Sequence, residues 1–229
     1  MQHPLFNIFK QKFLRYYQGC FDSFIAPPFC AYCKQFLKVR TILCIECSQM
    51  IQPIISAPIR ITKHYTMHVM AIGDYQEPLK SLILAKSWGD IGSAHQLAQL
   101  IWQLSYFRFL SCDFLIPVPL HWMRLAKRGY NQAEEMAHVL AHKKEVTCAK
   151  ILYRSKHTSF QSSVSFDKRL DNVKEVFALK KVNSDLYTNK HVILVDDLMT
   201  TGATLNACAK ELIKLKPASI NAIVAARVI

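Results

Sequence analysis

Val192-Ile193-Leu194-Val195-Asp196-Asp197-Leu198-Met199-Thr200-Thr201-Gly202-Ala203-Thr204 is the stretch on which the fold turns. The run His191–Val195 is continuously apolar, the pattern of a strand buried on both faces of a parallel sheet. Two adjacent carboxylates follow, then a Thr/Gly turn, then a helix over Thr204–Leu215 closed by Pro217. Such a turn aims successive backbone N–H groups at one point, where the helix dipole favours an anion. Gly202 lets the backbone approach a phosphate closely, and Thr200, Thr201 and Thr204 add hydroxyl donors. The arrangement fits a dianionic monophosphate. Asp196 and Asp197 repel that phosphate, so acceptor roles suit them, toward ribose hydroxyls or a Mg²⁺-organised sugar. The plainer alternative is an acidic strand end before an ordinary threonine-capped helix. The order of strand, acid pair, glycine turn and helix speaks against it.

The same alternation extends outward. Phe114–Val118 reads as a short strand ending in proline, Gln132–His142 as a helix, Ala149–Leu152 as a strand and Ser219–Ala225 as a last strand. Strand–helix repeats imply right-handed crossovers and a mostly parallel sheet, with the ligand beyond the carboxyl ends of the strands. Residues 154–172 are polar and aperiodic and read as a mobile loop able to close over a ligand. An ordinary surface loop has the same composition. Arg124, Lys127 and Arg128 follow a strand end in a proline-bounded turn. Arginine forks complement pyrophosphate oxygens, although a solvated basic helix start reads alike. His138 and His142 lie one helical turn apart without a third ligand and read as a polar face.

The first third has a different character. Residues 1–22 carry Phe6, Phe9, Phe13 and Tyr17 at helical spacing between basic residues. That suits either a membrane surface or a terminal helix packed on its own domain. Lys10, Lys12 and Arg15 interrupt the run, which excludes a secretory signal. Residues 27–58 contain four cysteines and no sustained periodicity, 64–75 read as extended, and helical patterns follow at 78–87 and 93–108. The domain boundary is therefore expected at 58/59, with an N-terminal helix and metal module over 1–58.

The module rests on Cys30-x-x-Cys33 and Cys44-x-x-Cys47. Each pair can present two thiolates to one ion, and two pairs complete a tetrahedral S₄ site for which Zn²⁺ is the expected metal. A closed S₄ site leaves no open position for a catalytic water, so the role expected is structural. The remaining cysteines, Cys20, Cys112, Cys148 and Cys208, are scattered, which fits a reducing compartment better than a disulfide scaffold. Twenty-nine Lys and Arg against sixteen Asp and Glu give a net charge of +13. Such a surface attracts polyanions: nucleic acid, phosphorylated metabolites or anionic lipid. No apolar run is long enough to span a bilayer.

The phosphate-loop stretch resembles the phosphoribosyl pyrophosphate loop of type I phosphoribosyltransferases. The resemblance implies that Asp196 and Asp197 meet the ribose hydroxyls and that Thr200, Thr201, Gly202, Ala203 and Thr204 cradle the 5′-phosphate. Three further features join it: Asp113-Phe114-Leu115-Ile116-Pro117-Val118-Pro119-Leu120-His121, then Arg124 with Arg128-Gly129-Tyr130-Asn131-Gln132, and the loop residues Arg154, Thr158, Gln161, Arg169 and Asn172. With the cysteine pairs, they are similar to the ComF family of competence-associated, phosphoribosyltransferase-like bacterial proteins. The likeness runs from about Cys30 to the C-terminus. It implies a type I phosphoribosyltransferase-like α/β fold with a small Cys₄ zinc module. It also implies phosphoribosyl pyrophosphate as ligand with Mg²⁺, and a cytoplasmic role in natural transformation on incoming single-stranded DNA. DNA-uptake or recombination proteins are the partners implied, at the inner face of the inner membrane if the N-terminal helix lies on lipid. A base-recognising hood is not recognisable; the cysteine module stands in its place, so ligand binding is expected ahead of transfer. The alternative is an active phosphoribosyltransferase in nucleotide or amine metabolism. Trp122 and Tyr130, aromatic residues among basic ones, are candidates for stacking on nucleic-acid bases.

Overall fold

The computed structural model describes residues 28–52, 54–85, 90–154 and 177–228. The chain divides into two units, residues 1–49 and residues 50–229. The described part of the first is a cysteine-bearing turn over residues 28–42 followed by helix α1 (Ile45–Gln49). The expected boundary at 58/59 falls inside strand β1 (Ile54–Thr62), which pairs with β2 (Tyr65–Asp74) and so belongs to the second unit.

The second unit is built on a six-stranded sheet. Its strands are β1, β2, β3 (Phe114–Pro117), β4 (Thr147–Cys148), β7 (His191–Met199) and β8 (Ser219–Arg227), in the spatial order β1-β2-β8-β7-β3-β4. Every neighbouring pair is parallel except β1–β2. Strands β5 (Leu152–Arg154) and β6 (Phe177–Leu179) form a separate antiparallel ribbon. The helices are α2 (Leu79–Leu84), α3 (Ile91–Leu104), α4 (Trp122–Arg128), α5 (Gln132–Lys144) and α6 (Ala203–Ile213).

The apolar run of β7 explains why the sheet has two covered faces. Val192 through Val195 are all buried, and successive residues of a strand point to opposite sides. Val192 and Leu194 join Leu205, Cys208, Ala209 and Leu212 of α6 in one cluster. The opposite face is covered by α3 and α5, whose inward residues include Leu97, Ile101, Met136 and Leu140. No helix among the described residues is long and apolar enough to cross a membrane.

The helix expected over 93–108 is broken. Ser105, in extended conformation, ends α3, and its hydroxyl accepts from the Phe107 N–H to start a short 3₁₀ helix, Tyr106–Phe109. Strand β1 and helix α4 were not recognised in the sequence. Strand β1 contains Pro58, which an edge strand tolerates, and its alternation is short. Helix α4 buries none of its residues, so it has no apolar stripe to detect. The strand expected over Ala149–Leu152 is not formed: residues 149–151 link β4 to β5, and only Leu152 lies in a strand.

Candidate phosphate-binding site

Chain order around the sheet marks where a ligand fits. From β3 the chain moves outward through α5 to β4, and from β7 it moves the other way through α6 to β8. The reversal lies between β3 and β7, and in open parallel sheets this is where ligands sit, beyond the carboxyl ends of the strands. A cavity of about 240 Å³ lies there. Its walls come from Val118–Leu120 after β3, from Asp196–Leu198 on β7, from Thr204 on α6, and from Arg124, Arg128 and Arg154.

The two carboxylates occupy an overhang. Strand β3 ends with Pro117 opposite Val195, while β7 continues alongside β8 to Met199. Asp196 and Asp197 thus lie within the strand rather than after it, on the length of β7 that β3 leaves uncovered. Adjacent strand residues face opposite sides: Asp196 lies close enough to Cys208 of α6, and Asp197 to Tyr130, to push those groups' pKa values up beyond the larger effect of burial. The Asp196 carboxylate also accepts the Asp197 N–H at 2.8 Å.

Three arginines face this pair. Arg124 and Arg128 come from α4, which His121 caps by accepting the Met123 N–H and Gly129 closes in left-handed conformation. Arg154 ends β5, beside the ring of Phe177. Burial first, and then repulsion by Arg124, lower the Arg154 pKa. A guanidinium does not give up its proton in a protein, so a cavity walled by these charges is chemically suited to an anion. Two helix starts converge on the same space: Thr204 in the first turn of α6, and Asn131 with Gln132 at the start of α5. The acids in the first turn of α5 are held aside, Glu134 by Lys150 at 2.6 Å and Glu135 by His95 at 3.5 Å.

The sequence candidates separate accordingly. Asp196, Asp197, Thr204, Arg124, Arg128 and Arg154 share the cavity. Thr200, Thr201 and Gly202 form the turn leading into α6, which Ala203 opens; none of the four is among the cavity's walls, and Lys127 lies on α4 away from them. Thr158, Gln161, Arg169 and Asn172 fall outside the described residues, as do residues 1–27. Tyr130 is withdrawn from the stacking role considered for it: it is buried, and its hydroxyl donates to the Asp90 carbonyl at 2.8 Å.

Gly202 has a stronger reason than close approach. Its φ is +74°, and a Cβ there would lie 2.6 Å from Ile59 Cδ1 of β1. Gly202→Ala is expected to lower stability by about 1–2 kcal/mol through left-handed strain, the flexible end of Ile59 giving way. Because α6 starts at this residue, ligand affinity should fall about tenfold with it. Thermal melting beside ligand titration checks both.

In the first unit the four cysteine sulfurs lie within 4.8 Å of one another, three of the residues buried. Cys33 and Cys44 Sγ are 3.7 Å apart, close to the roughly 3.8 Å edge of a tetrahedron with 2.3 Å zinc–sulfur bonds. A tight turn sets the first pair: Cys30 N–H donates to Gln35, Lys34 N–H donates to Cys30, and Lys34 has a φ of 63°. The second pair straddles the start of α1, where the Cys47 N–H points at Cys44 Sγ at 3.4 Å. Burial opposes the Cys30 thiolate, but backbone N–H groups of Cys44, Cys33 and Tyr32 outweigh it and bring its pKa down to about 6. The donor set fits a soft, tetrahedral metal ion.

The phosphoribosyl transferase domain family matches residues 87–228, which include every described wall of the cavity. Competence protein F of Haemophilus influenzae is 31% identical over 204 residues, spanning 86% of this chain and 83% of that protein. The chain belongs to the ComF family. Its second unit has the type I phosphoribosyltransferase fold. The DNA utilization protein YhgH of Salmonella typhimurium is 27% identical over 83% of this chain and 86% of its own. The purine phosphoribosyltransferase of Pyrococcus horikoshii is 17% identical, with 62% of this chain and 84% of that one covered at a TM-score of 0.37.

In this ComF-family chain one wall residue carries a signal that sequence reading did not use. Gln132 belongs to the quoted Arg-Gly-Tyr-Asn-Gln motif, yet no role was assigned to it. It is 3% exposed, and both polar atoms of its amide lack a hydrogen-bond partner among the described residues. An unpaired buried amide costs about 1–3 kcal/mol. Gln132→Met keeps the shape and removes the amide, so it should melt higher by about 1 kcal/mol of stability. If the amide meets the ligand, affinity should drop about tenfold in the same variant. Unchanged affinity on titration would assign Gln132 to packing alone.

Proposed function

We propose that this protein binds phosphoribosyl pyrophosphate in the cavity between β3 and β7 and acts in DNA uptake during natural transformation. It would handle incoming single-stranded DNA in the cytoplasm. The crowded arginine trio opposite an acid pair is the observation that carries the ligand assignment. Arg124, Arg128 and Arg154 together with two helix starts call for more than one phosphate. Asp196 and Asp197 call for hydroxyls or a divalent cation between those phosphates. A sugar bearing phosphates at both ends satisfies both demands. Mg²⁺, when bound with the pyrophosphate, would neutralise charge that three arginines leave uncompensated. The α6 start would take the 5′-phosphate, and Arg154, at the end of β5, would take the pyrophosphate side.

The four cysteines of the first unit would hold one structural Zn²⁺, which cross-links two turns that have little else to pin them. The DNA-uptake role is supported by the names that competence protein F and the DNA utilization protein carry. A cytoplasmic setting is supported by cysteine spacing: Cys20, Cys112, Cys148 and Cys208 are scattered and form no disulfide framework pattern.

One observation favours phosphoribosyl transfer as a second reading. A further cavity of about 200 Å³ shares Pro119, Leu120 and Asn131 with the first and is bordered by Lys150 and Lys180. An acceptor there would lie next to the sugar. Calorimetric titration with phosphoribosyl pyrophosphate, with and without Mg²⁺, tests the first reading; absence of heat in both would defeat it. Release of pyrophosphate on adding an amine or base acceptor would instead establish the second.

A further inference from the structure

The 3₁₀ turn after α3 presents two aromatic rings to water. Of its four residues only Phe107 enters the core. Tyr106 and Phe109 are 69% and 70% exposed, their ring centroids 6.4 Å apart and their planes tilted by 52°. The turn itself is held firmly. Lys144, in the last turn of α5, donates to the carbonyls of Phe107 at 3.5 Å and Arg108 at 3.1 Å and sits 5.3 Å from the Phe107 ring centroid. Phe107 packs edge-on against Trp102 at 6.2 Å. The Arg108 guanidinium lies 4.7 Å from the exposed Phe109 centroid, and Lys143 lies 5.8 Å from that of Trp102, the ring on which Phe107 packs.

We infer that Tyr106 and Phe109, with Arg108 and Lys143, form a stacking platform for single-stranded nucleic acid. Large rings held outward on a rigid turn offer π-faces at little entropic cost, and every base has a face to match. A duplex hides those faces within its own stack, so the platform selects single strands. The cation beside the rings suits a phosphate backbone; anionic lipid vesicles that displaced oligo-dT and bound through the same rings equally well would overturn the assignment. The net charge of +13 adds a long-range pull of the same sign.

The platform and the sugar-phosphate cavity lie at opposite ends of α5. Lys143 and Lys144 close the helix that Asn131 and Gln132 open, a separation of about 18 Å at the α-helical rise. A strand on the platform therefore leaves the cavity free. This inference rests on the DNA-handling reading for the identity of the partner, and it gives that reading a location.

The test is fluorescence anisotropy of labelled oligo-dT with the full chain. Tyr106→Ala/Phe109→Ala should weaken binding at least about tenfold with little change in salt dependence, since stacking rather than charge is lost. Arg108→Glu/Lys143→Glu should weaken binding and flatten the salt dependence. The two single alanine variants should fall between wild type and the double. Both rings are solvent-exposed, and thermal melting of each variant checks that folding is kept. If wild type binds oligo-dT and the double alanine variant binds equally well, the platform is overturned while the DNA-handling reading stands. If wild type fails to bind oligo-dT even at low salt, both fall. An equal loss on duplex DNA would overturn stacking as the mode of binding.

Discussion

Asp196→Asn combined with Asp197→Asn is expected to lower affinity for phosphoribosyl pyrophosphate about a thousandfold while the protein still folds. Hydrogen bonds to a charged group contribute about 1.5–3 kcal/mol each. Two of them converted to weaker neutral contacts account for about 4 kcal/mol, or three decades of affinity. Any Mg²⁺ held beside the pyrophosphate is lost with them, because a neutral amide is a poor ligand for a hard cation. The fold should survive for a local reason. Both residues sit on the overhang of β7, only half-buried. Asparagine at 196 retains the oxygen that accepts the neighbouring backbone N–H. Removing two negative charges beside three arginines should cost no more than about 1 kcal/mol at this exposure, a shift of a few degrees in melting temperature. Calorimetric affinity of each folded variant, with and without Mg²⁺, is the measurement. Wild-type affinity in the double variant would mean that the ligand binds elsewhere. Loss of ligand together with loss of transformation would tie the cavity to the cellular role, whether or not a phosphoribosyl group is transferred.

Cys30→Ser, or stripping by a strong chelator, should unfold the described part of the first unit. Purified wild type should carry about one Zn²⁺ per chain, and the variant none. The size of the effect follows from what else holds residues 28–49. Apart from its cysteines, only Leu37, Ile42 and Leu43 are buried there, which is too little apolar surface to offset the entropy of ordering the segment. Structural zinc in small finger domains supplies about 10–16 kcal/mol at neutral pH, so its loss cannot be absorbed. Limited proteolysis should then cut within residues 28–49, while residues 50–229, with their own two-faced core, keep a cooperative melt. Because the metal competes with protons for thiolates, zinc should also be released as pH falls. A metal-free wild-type protein that resists proteolysis in this segment would refute the assignment.

The parts of the site legible in the sequence are those whose residues are neighbours in the chain. The apolar run, acid pair, Gly turn and helix start occupy consecutive positions, and strand and helix periods show within such a window. The two C-x-x-C pairs are legible for the same reason: the sulfur geometry measured across Cys33 and Cys44 is already implied by ligand spacing. The expected loop behind Arg154 is legible only as composition, and of its candidates Arg154 alone is among the described residues.

Sequence by itself therefore determined the β7–turn–α6 unit, the four-cysteine cluster and the alternation that makes a mostly parallel sheet, because each is a local pattern under local steric and periodic rules. Tertiary structure decided which distant residues meet. Parallel pairing sets β3 beside β7 in register from Phe114–Val192 to Pro117–Val195, and only that pairing brings Arg124, Arg128 and Arg154 to the acid pair. It also decided the place of β1 as an antiparallel edge, and with it the contact of Ile59 beneath Gly202. Burial is likewise a property of the assembled fold: Tyr130 goes inside while Tyr106 and Phe109 stay out, although all three stand near basic residues in the chain. The physical reason is that side-chain desolvation depends on neighbours contributed by strands and helices far apart in sequence, which no window of adjacent residues contains.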